Sequence, residues 1–154
     1  MKYFFWFLLL VHSTFALELK GKALLEYSIF AIDIYEISYY ANNDNTHVKL
    51  ELLYKRDIDR DISKQGWQVG LEKNDIDLSK RQKEFEWIMS HTPNLKEGDR
   101  FVISIKNNTV EFICNDKTLG VITDENLAKL VLLPWLGPKP ISEKIKSSLL
   151  GLNS

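Results

Sequence analysis

Residues 101–122 read FVISIKNNTVEFICNDKTLGVI. Apolar and polar side chains alternate over 101–106, and Asn107-Asn108 interrupts them. The pattern returns over 110–114, Asn115-Asp116 interrupts it again, and 119–122 forms a third segment. A period of two marks half-buried strands, and two-residue breaks of Asn and Asp mark tight hairpin turns. The stretch therefore predicts a three-stranded antiparallel meander.

The same period lies upstream. Val48, Leu50, Leu52 and Tyr54 fall on one face of a predicted strand, with Lys49 and Glu51 on the other. Asn42-Asn43-Asp44-Asn45 predicts the turn that precedes it. Residues 22–40, rich in Ile, Tyr, Phe and Leu, predict two successive strands or one long bent strand, largely buried. Over 57–74 the period changes. Ile58, Ile62, Trp67, Val69 and Leu71 suit a helix lying on a sheet, with Asp59 or Asp61 capping its start. A second helix is predicted over 79–90, with Phe85, Ile88 and Met89 to one side and His91-Thr92-Pro93-Asn94 as its stop. From Asp124 a helical pattern runs to 133, where Pro134, Gly137, Pro138 and Pro140 break it. Ser142 then caps a last short helix with Ile145, Leu149 and Leu150 inward and Gly151 just past its end. This segregated order predicts an α+β domain, with a mainly antiparallel sheet covered on one face by helices.

The first residues read differently. One positive charge at Lys2, an apolar run over 3–11 and small residues at Thr14 and Ala16 predict a secretory signal peptide over 1–16, followed by a single domain over 17–154. The run is too short to span a bilayer, which takes roughly 20 apolar residues. The expected location is periplasmic or secreted. Without Lys2 the 20 basic residues become 19, against 21 acidic ones. That balance leaves no basic footprint for nucleic acid or an anionic membrane. Cys114 is the single cysteine, so no disulfide forms within the chain, and its strand setting predicts a small buried hydrophobe.

Most familiar chemistry lacks its residues. Beyond the predicted leader only His47 and His91 remain as histidines, so no zinc or iron spacing can be built. No G-x-S-x-G elbow and no Gly-rich phosphate loop occurs, and no cofactor is implied. Asp57-x-Asp59-x-Asp61 opens like a calcium loop, but Ile62 stands where Gly is needed and Gln68 where Glu is needed. These aspartates are expected to cap a helix. Asn107-Asn108-Thr109 fits a glycosylation acceptor and equally a polar hairpin turn. The aromatic residues remain. Tyr27, Phe30, Tyr35, Tyr39 and Tyr40 crowd the first strands, opposite helices that carry Trp67 and Trp87, with Trp135 in the C-terminal turn. Such a set builds either a core or an apolar cleft for a small molecule.

Several segments, in order, resemble one family. These are Tyr54-Lys55-Arg56-Asp57-Ile58, Gly66-Trp67-Gln68-Val69-Gly70-Leu71-Glu72-Lys73-Asn74 and Lys96-Glu97-Gly98-Asp99-Arg100-Phe101. Further on come Leu119-Gly120-Val121-Ile122, Asn126-Leu127-Ala128, Trp135-Leu136-Gly137-Pro138-Lys139-Pro140 and Leu149-Leu150-Gly151. Together they resemble the bacterial chalcone isomerase-like family of exported proteins, over residues 21–151. The resemblance implies an open-faced β-sandwich. It also implies either closure of a chalcone by addition of a phenolate or, in non-catalytic members, fatty-acid binding in the same cleft.

The catalytic pattern implied by the resemblance is incomplete. Where an arginine is expected, upstream of the strand around 25–34, only Lys20 and Lys22 stand, and a lysine lacks the planar fork of donors. Phe30 occupies the place of a threonine, with Ser28 two residues away. No tyrosine follows Tyr54, and Asn74 alone matches an asparagine partner. Isomerase activity is therefore not expected. The expected function is binding of an apolar, fatty-acid-like or aromatic molecule in a cleft drawn from Ser28, Phe30, Tyr35, Trp67, Leu71 and Asn74. The alternatives are an envelope partner-binding or structural protein with a filled cleft and, behind it, an isomerase acting on a phenolic enone.

Overall fold

The computed structural model describes residues 16–27 and 32–152. Six strands form one antiparallel sheet in chain order: β1 (Glu18–Tyr27), β2 (Ile32–Ala41), β3 (His47–Tyr54), β4 (Arg100–Lys106), β5 (Thr109–Cys114) and β6 (Lys117–Thr123). The helices are α1 (Arg60–Lys73), α2 (Gln82–Ser90), α3 (Glu125–Leu130), α4 (Leu133–Leu136) and α5 (Glu143–Leu149). Residues 1–15, which hold most of the predicted leader, and Ser28 and Phe30 lie outside the described residues.

The meander forms as its alternation predicts. Asn107 and Asn108 have φ of 48° and 64°, and Asn115 and Asp116 have φ of 48° and 65°. Two consecutive left-handed residues define the hairpin turn whose twist matches its strands, and Asn and Asp tolerate that conformation best. At the β2–β3 turn, the Asn42 side chain accepts from the backbone N–H of His47 at 3.0 Å and donates to Thr46 Oγ1 at 3.0 Å.

Cross-strand pairing lines up one apolar face. Tyr35 lies opposite Tyr54, Ile37 opposite Leu52, Leu50 opposite Ile103, and Ile103 opposite Phe112. All of these are buried. The other face is polar and bears Glu51, which meets Arg100 at 2.9 Å and Lys49 at 3.4 Å. The helices cover the apolar face, which makes the domain an open-faced sandwich.

Several details depart from the sequence expectations. The α1 helix starts at Arg60, so Ile58 precedes it and forms an isolated bridge with Leu95 instead. At about 100° per residue, Ile62 and Val69 point away from the face of Trp67, Gly70 and Leu71, and both are exposed. Asp59 stands at the N-cap of α1 without a side-chain hydrogen bond. The segment predicted as one helix from 79 begins as a 3-10 turn, Leu78–Arg81, capped by Asp77, before α2. Pro134 does not merely end a helix. It sits in the first turn of α4, where its missing N–H costs nothing. Residues 22–27 are not largely buried, because β1 is an edge strand, and Leu24 and Tyr27 are exposed. Leu150 turns outward, whereas Ile145 and Leu149 point inward as predicted and Ser142 caps α5.

Candidate functional site

Between the sheet and the helices the rings form one connected layer. Tyr35 on β2 and Tyr54 on β3 stand side by side, ring centres 5.3 Å apart. Trp135, carried by α4, donates its Nε1–H to the Tyr35 hydroxyl at 2.9 Å. Trp67 on α1 meets Trp135 edge-on at 5.3 Å and stacks on Phe112 of β5 at 5.8 Å. Trp87 of α2 and Phe101 of β4 close on the other edges of Phe112 at 4.9 and 5.2 Å. Leu71, one helical turn after Trp67, is fully buried beneath them. Tilted and edge-on ring pairs of this kind add about 0.5–1.5 kcal/mol each beyond area burial.

The close approach of α1 and α4 depends on Gly70 and Asn74. A Cβ added at Gly70 would lie 2.7 Å from the Pro134 ring. The Asn74 side chain donates to the carbonyls of Gly70, Leu133 and Lys139 at 2.9, 3.1 and 2.9 Å, and accepts from the Lys139 N–H at 3.0 Å. It ties the end of α1 to both sides of α4. Asn74→Ala removes all four bonds and should cost about 2–3 kcal/mol, at roughly 1 kcal/mol per bond with some replaced by water. Urea unfolding measures this, and a cost below about 0.5 kcal/mol would contradict the tie.

Of the six residues singled out from the sequence, Tyr35, Trp67 and Leu71 thus come together. Asn74 stands at the rim with its amide committed to backbone, and Ser28 and Phe30 lie outside the described residues. Tyr54 and Trp135 also belong to the layer. The alternation that puts Tyr54 on the apolar face signals its membership, whereas nothing local to Trp135 announces its bond to a residue 100 positions away.

Among the described residues the ring contacts of this layer involve no Lys, Arg, Asp or Glu. No Lys or Arg is buried among the described residues. Lys20 and Lys22, at the place of the expected arginine, meet Glu18 at 3.0 Å and Glu36 at 3.7 Å at the surface. Burial pushes the Tyr35 and Tyr54 phenols well above their ordinary range, with the Trp135 hydrogen bond opposing it slightly at Tyr35. An acid held protonated by the fold stabilises it fully below its unfolded pKa, about 10 for tyrosine, and loses that contribution as pH rises further. Stability should therefore fall above about pH 10, by up to about 2.7 kcal/mol per pH unit for the two phenols. Urea midpoints with phenolate absorbance read this. Phenolate from both side chains while the fold persists would contradict it.

Two surface hollows of about 420 Å³ each lie elsewhere, lined by charged and polar residues such as Lys22, Asp33, Glu36 and Lys55, or Lys106 and Glu111. At the second, His47 Nε2 and Ser104 Oγ are 3.2 Å apart. Burial, Lys106 and Lys49 lower the His47 pKa, so the ring is neutral near pH 7. No group of three or more metal-binding side chains occurs among the described residues, and no helix there is long and apolar enough to cross a membrane.

Comparison with known proteins supplies three findings. A family model described as chalcone isomerase-like matches residues 12–151. The fold is similar to the crystal structure of a fatty-acid binding protein from Arabidopsis thaliana, with a TM-score of 0.71, 12% identity, and coverage of 88% of this chain and 87% of that one. No curated protein sequence matches the chain.

Proposed function

Given that the chain belongs to the chalcone isomerase-like family, we propose that it is an exported, non-catalytic protein that takes up an apolar small molecule between its sheet and its helices. The observation that carries this reading is the ring layer itself: Tyr35, Tyr54, Trp67 and Trp135 face one another without a buried cation. Such a surface can hold an alkyl or aromatic ligand and gives a reacting anion no electrostatic support. The description of the Arabidopsis protein as fatty-acid binding supports the same class of ligand. Because the rings pack against one another, uptake requires Trp135 to leave Tyr35.

Trp67, Trp87 and Trp135 all belong to the layer, so intrinsic fluorescence reads occupancy directly. Emission of the secreted product, cleaved after Ala16, is expected to shift with members of a panel of fatty acids and flavonoids. Chalcone turnover is expected to stay at the uncatalysed rate. Purified protein that carries no lipid and whose emission ignores the whole panel would defeat the reading.

The packed state of the rings favours a second reading, in which the layer is a filled core and an outer surface binds an envelope partner. Ile62 and Val69, both exposed on α1, are among the exposed apolar residues that could serve it. Recovery of one stoichiometric partner from envelope extract, lost on Ile62→Ser with Val69→Ser, separates the two.

A further inference from the structure

One end of the uncovered sheet face carries a row of hydrogen-bond donors. His47 of β3 lies opposite Lys106 of β4, and Lys106 lies opposite Thr109 of β5. Buried Val48, Ile105 and Val110 alternate with them, so these three side chains stand on the outer face. Ser104 and Glu111 from the next row, and Asn107 from the β4–β5 turn, complete the wall of one of the hollows of about 420 Å³. His47 Nε2 and Ser104 Oγ lie 3.2 Å apart, which sets the orientation of the ring. The Thr109 hydroxyl can accept from Thr123 Oγ1 at 2.8 Å and so keep its own proton for a ligand.

Charge in this hollow is not balanced. Among the described residues Lys106 forms no ion pair. Glu111, the acid in the wall, accepts from Thr118 Oγ1 at 2.6 Å instead. Lys49 is shared between Glu51 at 3.4 Å and the Tyr40 ring at 4.4 Å. The His47 ring therefore feels two cations, Lys49 on its own strand and Lys106 across the pair, and burial together with both holds it below its ordinary pKa. The titratable groups that β2 and β5 bring to this part of the face are Tyr40 and Glu111, and neither offsets the lysines. Cations gathered without a balancing acid repel one another, and an anion among them relieves that repulsion.

We propose that this hollow binds a small oxyanion, a sulfate or phosphate group, held by the Lys106 ammonium, the His47 ring and the Thr109 hydroxyl. The site lies on the face of the sheet opposite the ring layer, so it stands independently of the apolar-ligand reading. Binding couples to protonation. A bound anion offsets the two lysines and makes His47 easier to protonate, so by linkage acid strengthens the hold on the anion. The negative net charge of the chain favours a free ion over one carried on an anionic bilayer.

Amide NMR spectra of the mature chain, titrated with sodium sulfate against sodium chloride at constant ionic strength, test this. Sulfate keeps its charge from about pH 8 to about pH 5.5, so any pH dependence over that range belongs to the protein. Shifts at Ser104, Lys106 and Thr109 are expected to saturate, and the affinity to rise several-fold as the pH falls. Lys106→Gln should weaken binding about fivefold or more, and His47→Gln should remove most of the pH dependence. Lys64→Gln, an equal loss of charge on α1 across the sheet, should change neither. Vesicles of dioleoyl phosphatidylglycerol are expected not to sediment the protein. Sedimentation that is lost in Lys106→Gln would place the oxyanion on a lipid head group at the same site. Shifts that grow linearly with sulfate without saturating overturn the proposal. So does a Lys106→Gln variant that binds as the parent does, or a pH dependence that survives His47→Gln. Any of these leaves the ring-layer reading untouched.

Discussion

Gly21→Ala is expected to unseat α5 and cost about 3–5 kcal/mol. A Cβ built at Gly21 would lie 2.0 Å from the Ser148 carbonyl oxygen and 2.6 Å from that of Leu149. Both are backbone atoms at the end of a helix, so no side chain can swing aside to make room. The helix must move as a body, and with it Ile145 and Leu149, which are buried against the sheet. Each such side chain is worth about 1.5–3 kcal/mol when fully buried. Gly151, whose φ of 69° ends the helix, lies over Lys20 of the same strand, so the chain cannot simply slide past. A control isolates the cause. Gly66 lies mid-helix on the outer side of α1, and an added Cβ there meets nothing within 4 Å. Gly66→Ala should therefore stabilise the protein by about 0.5–1 kcal/mol through backbone entropy. Urea unfolding of the two variants gives opposite signs. Protease cleavage after α5 should rise only in the Gly21 variant. Equal stability of Gly21→Ala and the parent would mean that α5 does not rest on β1 as described.

The sheet was legible because its code is local. Alternation decides which side chains of β3, β4 and β5 face inward, and paired Asn and Asp residues supply the left-handed turns that hairpins demand. Helix faces were legible only where the start was. Placing α1 from 57 instead of Arg60 admitted Ile58 to the wrong element, and counting Ile62 and Val69 as inward ignored that they lie far around the helix from Trp67. Edge position is equally invisible to periodicity. Residues 22–27 have the composition of a buried strand, yet β1 has a neighbour on one side only, so Leu24 and Tyr27 stay exposed.

The candidate site divides along the same line. Tyr35, Trp67 and Leu71 are apolar residues on predictable faces, and they converge. Asn74 is polar, and a polar side chain near a cleft invites a functional role. Its four bonds to backbone show a different occupation, holding α4 against α1. The Trp135 to Tyr35 bond joins α4 to β2 between residues 100 positions apart, and no pattern of spacing encodes such a contact. Nor does any spacing announce that Tyr35, Trp67 and Trp135 meet in one layer.

Trp67→Ala is expected to cost about 4 kcal/mol, the usual range for a buried aromatic reduced to alanine being roughly 3–5 kcal/mol. Trp67 is the joint between Phe112 of the sheet and Trp135 of α4, so its neighbours lose contacts on both sides at once. Its place is walled by Leu71, Phe112 and Trp135, and an emptied space with such walls stays dry and accepts an apolar guest. Indole added to the variant should therefore restore part of the loss, about 2.7 kcal/mol at a hundredfold excess over its dissociation constant. Trp67→Phe, which keeps a ring against Phe112, should lose much less. Thermal or urea unfolding with and without indole measures all three. A loss below about 1 kcal/mol, or no response to indole, would mean that the layer closes over the gap, and that it is soft enough to part without a mutation. The same variant bears on uptake. If ligands enter where Trp67 and Trp135 now touch, removing one ring eliminates the work of parting them. The less stable protein should then bind the fatty-acid and flavonoid panel more tightly than the parent. If the layer is instead only a core, stability and affinity have no reason to move in opposite directions, and the panel will leave the variant's tryptophan emission unchanged.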